Sequence, residues 1–148
     1  QSVNLSIEVS RKISRAYNAM CKPLCKELEL SQTAFDILMF LGNNPNYNTA
    51  GEIVEIRRIK ANLVSVNVER LVREGYLLRK QVEGDRRKTG LICTDKAKPI
   101  IERGRKLQKA FTERMFLNMD DDLRKAFSEA TDIIEKNLNE ILKAENKL

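Results

Sequence analysis

The most regular pattern of hydrophobic and polar positions in the chain lies between residues 59 and 74. Four apolar side chains there are spaced at i, i+4, i+7 and i+8: Val64, Val68, Leu71 and Val72. This spacing places them in one stripe along a helix, while the opposite side is mostly polar and charged. Gly75 follows directly, and glycine is the usual residue where a helix ends in the left-handed conformation. The pattern predicts a helix with one buried face and one face available to a partner.

Two short segments of strand character follow this helix, at residues 76–82 and 88–94. Residues 83–87 between them are polar and include Gly84 and Asp85, which suits the tip of a hairpin. A helix followed by a basic hairpin is the outline of a winged helix.

Capping signals predict two more helices before this one. Ser31 can cap a helix that ends at Gly42, and Thr49 with Glu52 can form a capping box for a short helix over residues 50–57. A tight turn joins the short helix to the helix of residues 59–74. The two therefore form a helix-turn-helix pair, and its second helix would be the recognition helix.

Both ends of the chain are predicted to be helical. The periodicity covers residues 2–28, where Pro23 predicts a bend or break, and residues 96–118, and a last helix follows the acidic residues 120–122. The last helix has an extended apolar stripe: Leu123, Phe127, Ala130, Ile134, Leu138, Ile141 and Leu142. Because this stripe has little of its own domain to bury against, we expect homodimerisation through both termini.

The predicted fold is mainly α with a small β-hairpin wing, in a single domain over residues 1–148. A winged helix-turn-helix lobe occupies residues 31–94. Dimerisation helices occupy residues 1–28 and 96–148.

Positive charge is concentrated around the predicted recognition helix and hairpin. The 148-residue chain has a formal net charge of +6, yet residues 57–109 contain 16 Lys or Arg and 6 Asp or Glu, a local net charge of +10. The rest of the chain carries −4. Such a concentrated footprint favours a polyanionic partner, as in nucleic-acid binding. No apolar run is long enough to span a membrane and no secretory signal is visible, so we expect a cytoplasmic protein.

The three cysteines are expected to be reduced thiols, since their number is odd and no export signal is visible. Cys21 and Cys25 lie one helical turn apart. They could form a thiol sensor if Lys22 and Lys26 lower their pKa, or they could simply be small buried residues. The chain contains no His, so a metal site is not expected, and no cofactor is predicted.

No catalytic constellation is apparent in the sequence. It has no His, no nucleophilic Ser elbow, no glycine-rich phosphate loop and no paired acid motif. The sequence therefore predicts a protein that is not an enzyme.

Three segments together resemble the signature of the MarR family of transcriptional regulators. They are ERLVREGYLLR at residues 69–79, GDRR at residues 84–87 and LICT at residues 91–94. The helix order extends the resemblance over nearly the whole chain. Two positions depart from the family pattern: residues 95–97 lack the usual glycine, and Val66 replaces a residue that is often polar or Arg. The resemblance implies a homodimer that binds a pseudo-palindromic operator in double-stranded DNA, often as a repressor released by a small molecule or by oxidation.

The recognition helix and wing supply the candidate DNA contacts, because a helix fits the major groove and a basic loop can reach an adjacent minor groove. The residues expected at base edges or nearby sugars are Asn62, Ser65, Val66 and Asn67. The residues expected to hold phosphates are Arg57, Arg58, Lys60, Arg70 and Arg73. The wing candidates are Arg86 and Arg87, with Lys88 beside them and Asp85 expected to position Arg87. Asn67 lies near the edge of the apolar stripe, so a structural role is an equal alternative for it.

A small hydrophobic or phenolic effector would bind at the junction of the first helix, the Ser31 helix and the helix of residues 96–118. The residues that could line such a crevice are Tyr17, Met20, Phe35, Met39, Phe111 and Met115. The alternative is that they are core residues, which is what apolar residues at helical spacing usually are.

One alternative function is a winged-helix module that binds protein without sequence-specific DNA binding. It would require a hydrophobic outer face on the recognition helix, where only Val66 and Leu63 fit.

Overall fold

A computed structural model describes residues 3–147, without the side chains of residues 3–6 and 86. Within this range the chain is mainly helical with one two-stranded antiparallel hairpin, as predicted. The elements are α1 (Val3–Leu28), α2 (Gln32–Asn43), α3 (Ala50–Glu52) continued by a π-helical turn (Ile53–Arg57), α4 (Ala61–Arg73), β1 (Leu77–Val82), β2 (Asp85–Cys93), α5 (Lys98–Met115) and α6 (Asp121–Glu145). The chain divides into two compact units, Gln1–Phe111 and Thr112–Leu148.

The corner between α1 and α2 is closed by backbone hydrogen bonds. Glu29 adopts the left-handed conformation with φ 55°, and Leu30 N donates to Cys25 O at 3.0 Å. This geometry is usual where a helix ends, although glycine is the common residue there. The predicted break at Pro23 was wrong, because α1 runs through Pro23 to Leu28. The predicted cap of α2 is confirmed, since Ser31 Oγ accepts a hydrogen bond from Ala34 N at 3.0 Å.

Two glycines allow α2 and α5 to approach closely. A Cβ at Gly42 would lie 2.7 Å from a side-chain carbon of Ile101, and a Cβ at Gly104 would lie 3.0 Å from Phe35 Cζ and would also clash with Met39. Phe35, Met39 and Ile101 are buried in the core of the first unit. The absence of a side chain at the two glycines therefore sets the distance between these helices.

The helix-turn-helix begins with the predicted capping box. Thr49 Oγ1 accepts from Glu52 N at 3.2 Å, and the carboxylate of Glu52 accepts from Thr49 N at 3.2 Å. The predicted helix over residues 50–57 widens into a π-helical turn after Glu52. Arg58 is left-handed with φ 64° and ends this turn, so α4 starts at Ala61, two residues after the predicted Ile59.

The wing is a hairpin with a shorter turn than predicted. Leu77 pairs with Cys93 and Val82 pairs with Asp85, so residues 83 and 84 alone form the turn. Gly84 has φ +84°, a conformation open to glycine, and it fixes the turn there. Residues 85–87, predicted as part of the tip, belong to β2.

The core of the first unit is formed by buried side chains of α1, α2, α4, the wing and the start of α5. The buried apolar residues include most of α2, one face of α4 and the base of the wing: Cys21, Ala34, Phe35, Ile37, Leu38, Ile53, Val64, Leu71 and Leu77 are among them. α4 is held by the predicted stripe, since Val64, Val68 and Leu71 are buried and Val72 packs against the core in a half-buried position. The prediction of one core-facing side is therefore confirmed.

The second unit is dominated by α6. Asp120 caps it by accepting a hydrogen bond from Leu123 N at 2.8 Å, as the acidic run predicted. The rings of Phe116 and Phe127 meet edge to face with centroids 5.5 Å apart, and Arg124 Nη2 donates to Phe116 O at 3.0 Å. None of the residues of α6 is buried.

Candidate nucleic-acid interface

The side of α4 that faces away from the core is exposed and mostly polar. Asn62 and Ser65 are exposed, and Val66, which directly follows Ser65, is 66% exposed. A buried stripe on the other side fixes this helix, so the three side chains are presented on a rigid element. Amide and hydroxyl groups can pair with base edges, and a valine methyl can contact the thymine methyl.

Basic side chains lie before and after this exposed side. Arg57, Arg58 and Lys60 precede α4 and Arg73 ends it, and all four are exposed. Arg57 is partly engaged, because its Nη2 lies 3.4 Å from Asp36 Oδ2. The cations therefore flank the helix at both ends, as the local charge predicted.

The wing residue Asp85 orders the chain around Arg87. Its Oδ1 accepts a hydrogen bond from Arg87 N at 2.9 Å, which agrees with the expectation that Asp85 positions Arg87. Arg87 and Lys88 are exposed. The side chain of Arg86 lies outside the described residues. The exposed Arg79 and Lys80 of β1 add positive charge that the sequence argument did not assign, although the local charge count included both.

Two predicted DNA contacts are instead bonded within the chain. Asn67 is half-buried, donates from Nδ2 to Leu63 O at 2.8 Å and accepts from Ser31 Oγ at 2.9 Å. Arg70 is also half-buried, and it donates from Nη2 to Glu29 O at 2.9 Å and from Nε to Glu74 at 3.0 Å. The structural alternative for Asn67 is thus the one that its contacts support. The contacts of Arg70 support a structural role for it as well, and its assignment to a phosphate stays a prediction.

A polar cluster that sequence reasoning missed lies behind the π-helical turn. Asp36 is half-buried, accepts a hydrogen bond from Gln32 Nε2 at 2.9 Å and pairs with Arg57. Burial raises the pKa of Asp36 above its ordinary value, while Gln32 and Arg57 act in the opposite direction. A lone Asp within the apolar pattern of α2 was the available signal.

The structure does not support a reactive thiol in α1. Cys21 and Cys25 are buried, and burial raises the pKa of Cys21 and raises the pKa of Cys25 to about 11. Of the two alternatives, that of small buried residues is confirmed, since Lys22 and Lys26 are exposed while the thiols face the core and Asp36. A thiol with a raised pKa is mostly protonated at neutral pH and reacts slowly. Cys93 is half-buried, and burial raises its pKa as well.

The predicted effector residues do not form one open crevice. Phe35 and Met39 are buried against Gly104, so these two are core residues. Tyr17, Met20 and Phe111 are half-buried in the first unit, where the Tyr17 and Phe111 rings meet edge to face at 5.3 Å. Tyr17 also accepts a hydrogen bond at its hydroxyl oxygen from Gln108 Nε2 at 2.9 Å, and burial raises the pKa of Tyr17. Met115 is exposed and belongs to the second unit.

Two other kinds of site receive no support within residues 3–147. The described His, Cys, Asp and Glu side chains form no group of three that could hold a metal ion. Over the same range, none of the helices combines the length and the apolar character needed to cross a membrane.

The geometry around α4 and the hairpin defines a winged helix-turn-helix protein. Residues 28–88, which contain this lobe, match the sequence model described as the MarR family. Together with the structural matches below, this match makes the chain similar to the MarR family of winged-helix transcriptional regulators. No curated protein matches the sequence.

Solved structures of MarR-family regulators share the fold over nearly the full chain. A MarR protein from Peptoclostridium difficile is 26% identical with a TM-score of 0.78, and the match covers 97% of this chain and 94% of that one. A MarR transcriptional regulator from Methanosarcina mazei Go1 is 20% identical with a TM-score of 0.77, covering 93% and 99%. A MarR family regulator from Listeria monocytogenes, complexed with 26mer DNA, is 18% identical with a TM-score of 0.77, covering 93% and 89%.

Proposed function

We propose that this protein is a cytoplasmic, homodimeric repressor that binds a pseudo-palindromic operator in double-stranded DNA. In this proposal α4 enters the major groove and the wing reaches the adjacent minor groove. Repression follows from occupation of a promoter.

One observation carries the proposal: the exposed side of α4 is polar at its centre and cationic at both ends. Asn62, Ser65 and Val66 would meet base edges, while Arg57, Arg58, Lys60 and Arg73 would hold phosphates on either side. Phosphate contacts fix the register of a protein on the duplex, and base contacts give specificity. The Listeria monocytogenes regulator with a similar fold is complexed with DNA, which supports the same partner for this chain.

The wing would add contacts of a different kind. Arg87 and Lys88 are exposed beside a turn that Asp85 and Gly84 hold in shape. Arginine inserted into a narrow minor groove is favoured by the negative potential there. Arg86 belongs to the same proposal by its position in the sequence.

The apolar side chains of α6 support a homodimer. Seven of the large ones are each more than half exposed: Leu123, Phe127, Ile133, Ile134, Leu138, Ile141 and Leu142. In α1, Ile7, Val9 and Ile13 are exposed as well. Exposed apolar side chains repeated along a helix are typical of an interface, and a second copy would bury those of α6 by a two-fold contact.

Release by an effector completes the proposal. A small hydrophobic or phenolic molecule would enter beside Tyr17, Met20 and Phe111, which are half-buried and do not belong to the fully packed core. It would act if it favoured a dimer whose recognition helices no longer match the half-site spacing. Control by oxidation is the weaker alternative, because burial raises the pKa of both Cys21 and Cys25.

Selection of bound sequences from a random DNA pool, with purified protein, tests the function directly. We expect recovery of a palindromic consensus, and binding that weakens steeply as salt is raised. A pool that shows no enrichment would contradict the proposal and would favour the alternative of a protein-interaction module. In that alternative the exposed Leu63 and Val66 of α4 would be contacts with a partner protein.

A further inference from the structure

We propose that Asn67 and Arg70 are positioning residues, which hold α4 against the corner between α1 and α2 and leave DNA contact to other side chains. This inference rests on the proposed DNA-binding function. It means that the corner, residues 29–31, sets the orientation of the recognition helix.

The amide of Asn67 is engaged at both polar atoms. Nδ2 donates to Leu63 O at 2.8 Å, and Oδ1 accepts from Ser31 Oγ at 2.9 Å. Because a carbonyl oxygen can only accept, the bond to Leu63 fixes which way the amide points. Pairing with adenine needs the donor and the acceptor of the amide together. Presenting both to a base would turn this half-buried side chain out of both internal bonds.

Ser31 joins the cap of α2 to α4 through one hydroxyl group. Its oxygen accepts from Ala34 N at 3.0 Å, which caps α2, and its proton is donated to Asn67. A hydroxyl has one proton, so while Ser31 donates to Asn67 it cannot donate to another group. The same atom therefore fixes the start of one helix and the rotation of another.

Arg70 makes the second link, one helical turn further along α4. Its Nη2 donates to Glu29 O at 2.9 Å, at the left-handed residue that ends α1. Its charge is paired with Glu74 through Nε at 3.0 Å. Residues three apart lie on the same side of a helix, so Asn67 and Arg70 form one contact strip. This strip is separate from the exposed side that carries Asn62 and Val66.

Binding of a fluorescent duplex, followed by anisotropy, tests the role of Asn67. The duplex selected from the random pool and an unrelated duplex of equal length are compared for Asn67→Ala, Ser31→Gly and the double variant. Glycine at a helix N-cap costs little, so Ser31→Gly removes the hydroxyl with limited harm to α2. Ser31→Thr keeps a hydroxyl and serves as the conservative variant, and Asn62→Ala is the control on the exposed side.

We expect Asn67→Ala and Ser31→Gly each to weaken binding to both duplexes by a similar factor, on the order of 3- to 10-fold for one hydrogen bond. The double variant should be weakened by less than the product of the two single effects, because both changes remove the Ser31–Asn67 bond. Ser31→Thr should stay within about 2-fold of wild type. Asn62→Ala should weaken binding to the selected duplex alone. The inference is overturned if Asn67→Ala affects only the selected duplex, or if the two single effects add.

The salt dependence of binding tests Arg70. Each phosphate contact contributes about 0.9 to the slope of log K against log salt concentration. Arg70→Gln should leave the slope at its wild-type value, whereas Arg73→Gln should reduce it. A slope reduced equally by both variants would show that Arg70 holds a phosphate and would overturn its positioning role.

Thermal unfolding of the four proteins of the Ser31–Asn67 cycle separates this inference from the proposed function. If wild type binds no duplex, the proposed function fails, and the unfolding temperatures alone test whether the Ser31–Asn67 bond links the corner to α4. A double variant whose loss in melting temperature is smaller than the sum of the two single losses supports the link between the corner and α4. Additive losses in melting temperature overturn it.

Discussion

Asp36 in α2 lies 3.4 Å from the guanidinium Nη2 of Arg57, the last residue of the π-helical turn, with its other carboxylate oxygen bonded to Gln32. Arg57 is thus shared between an internal carboxylate and the proposed DNA surface. The ion pair is exposed on the Arg57 side and mostly covered on the Asp36 side, with side-chain exposures of 42% and 14%. The half-buried carboxylate therefore competes with a phosphate for one cation.

Removal of this competition should strengthen DNA binding. We expect Asp36→Asn to raise the affinity for any duplex by about 2- to 5-fold at low salt, since Arg57 is freed and a negative charge is lost. Fluorescence anisotropy measures the change. Asp95→Asn is the matched control, because it alters the charge equally and frees Lys98 in α5, a residue outside the proposed interface. An equal gain in both variants would show that net charge alone is responsible.

The stability contributed by Asp36 should depend on pH. Burial raises the pKa of Asp36 above its ordinary value of 3.8, so the folded state binds this proton more tightly than the unfolded chain. The stabilising contribution of Asp36 is therefore largest at low pH and declines as pH rises through 3.8 to the raised pKa. We expect urea unfolding of both proteins to show that the unfolding free energy of wild type falls relative to that of Asp36→Asn as pH rises across this window. A difference that is constant with pH would contradict the raised pKa.

Reversal of charge in the wing should weaken binding without changing sequence preference. We expect Arg87→Glu to lower the affinity for selected and unrelated duplexes by about 10-fold or more, and to lower the slope of log K against log salt by roughly 1. Arg103→Glu is the control, since Arg103 lies in α5 and is paired with Glu27 at 2.7 Å. Unchanged affinity in Arg87→Glu would remove the wing from the proposed interface.

The apolar stripe of α6 should be needed for assembly and not for folding of the chain. Leu138 is 52% exposed and Ile134 is 57% exposed, so Ile134→Glu with Leu138→Glu removes no buried contact within the chain. We expect a monomer by sedimentation equilibrium, with weakened operator binding because two linked half-sites are no longer engaged together. Asn139→Glu, turned away from the stripe on the same helix, should remain dimeric. Persistence of the dimer in the double variant would place the interface elsewhere.

The close approach of α5 to α2 predicts opposite effects at two glycines. Gly104→Ala should destabilise the protein by about 1–3 kcal/mol, because the added carbon overlaps Met39 and Phe35 in a packed core. A Cβ at Gly51 would meet Thr49 Oγ1 at 4.0 Å, an ordinary contact, so Gly51→Ala should be neutral or stabilising by up to about 1 kcal/mol. Thermal or urea unfolding measures both. Equal stability of the two variants would mean that the core yields at Gly104.

Local signals in the sequence were sufficient for the buried stripe of α4 and for several helix caps. The stripe of Val64, Val68 and Leu71, the caps at Ser31 and Thr49 and the left-handed Gly75 each depend on residues within a few positions of one another. Such patterns predict local structure well because the residues that interact are close in the sequence. The hairpin tip was harder, since several polar residues suit a turn and only the positive φ of Gly84 decides among them.

Contacts between distant residues were beyond the sequence argument. Ser31 and Asn67 are 36 positions apart, and no local pattern indicates that the cap of one helix also holds another. For the same reason Asn67 and Arg70 could be placed near the exposed side of α4 but not assigned a partner. The choice between reactive and buried thiols was left open for a similar reason, because it depends on burial that the neighbouring lysines do not reveal.

The uncovered stripe of α6 has a consequence for gene dosage. If only paired chains engage an operator, occupancy at low abundance rises with the square of the number of molecules in the cell, so halving synthesis cuts occupancy fourfold. If such a repressor acted on its own promoter, its copy number would depend on the dissociation constant of the contact that α6 forms between two chains.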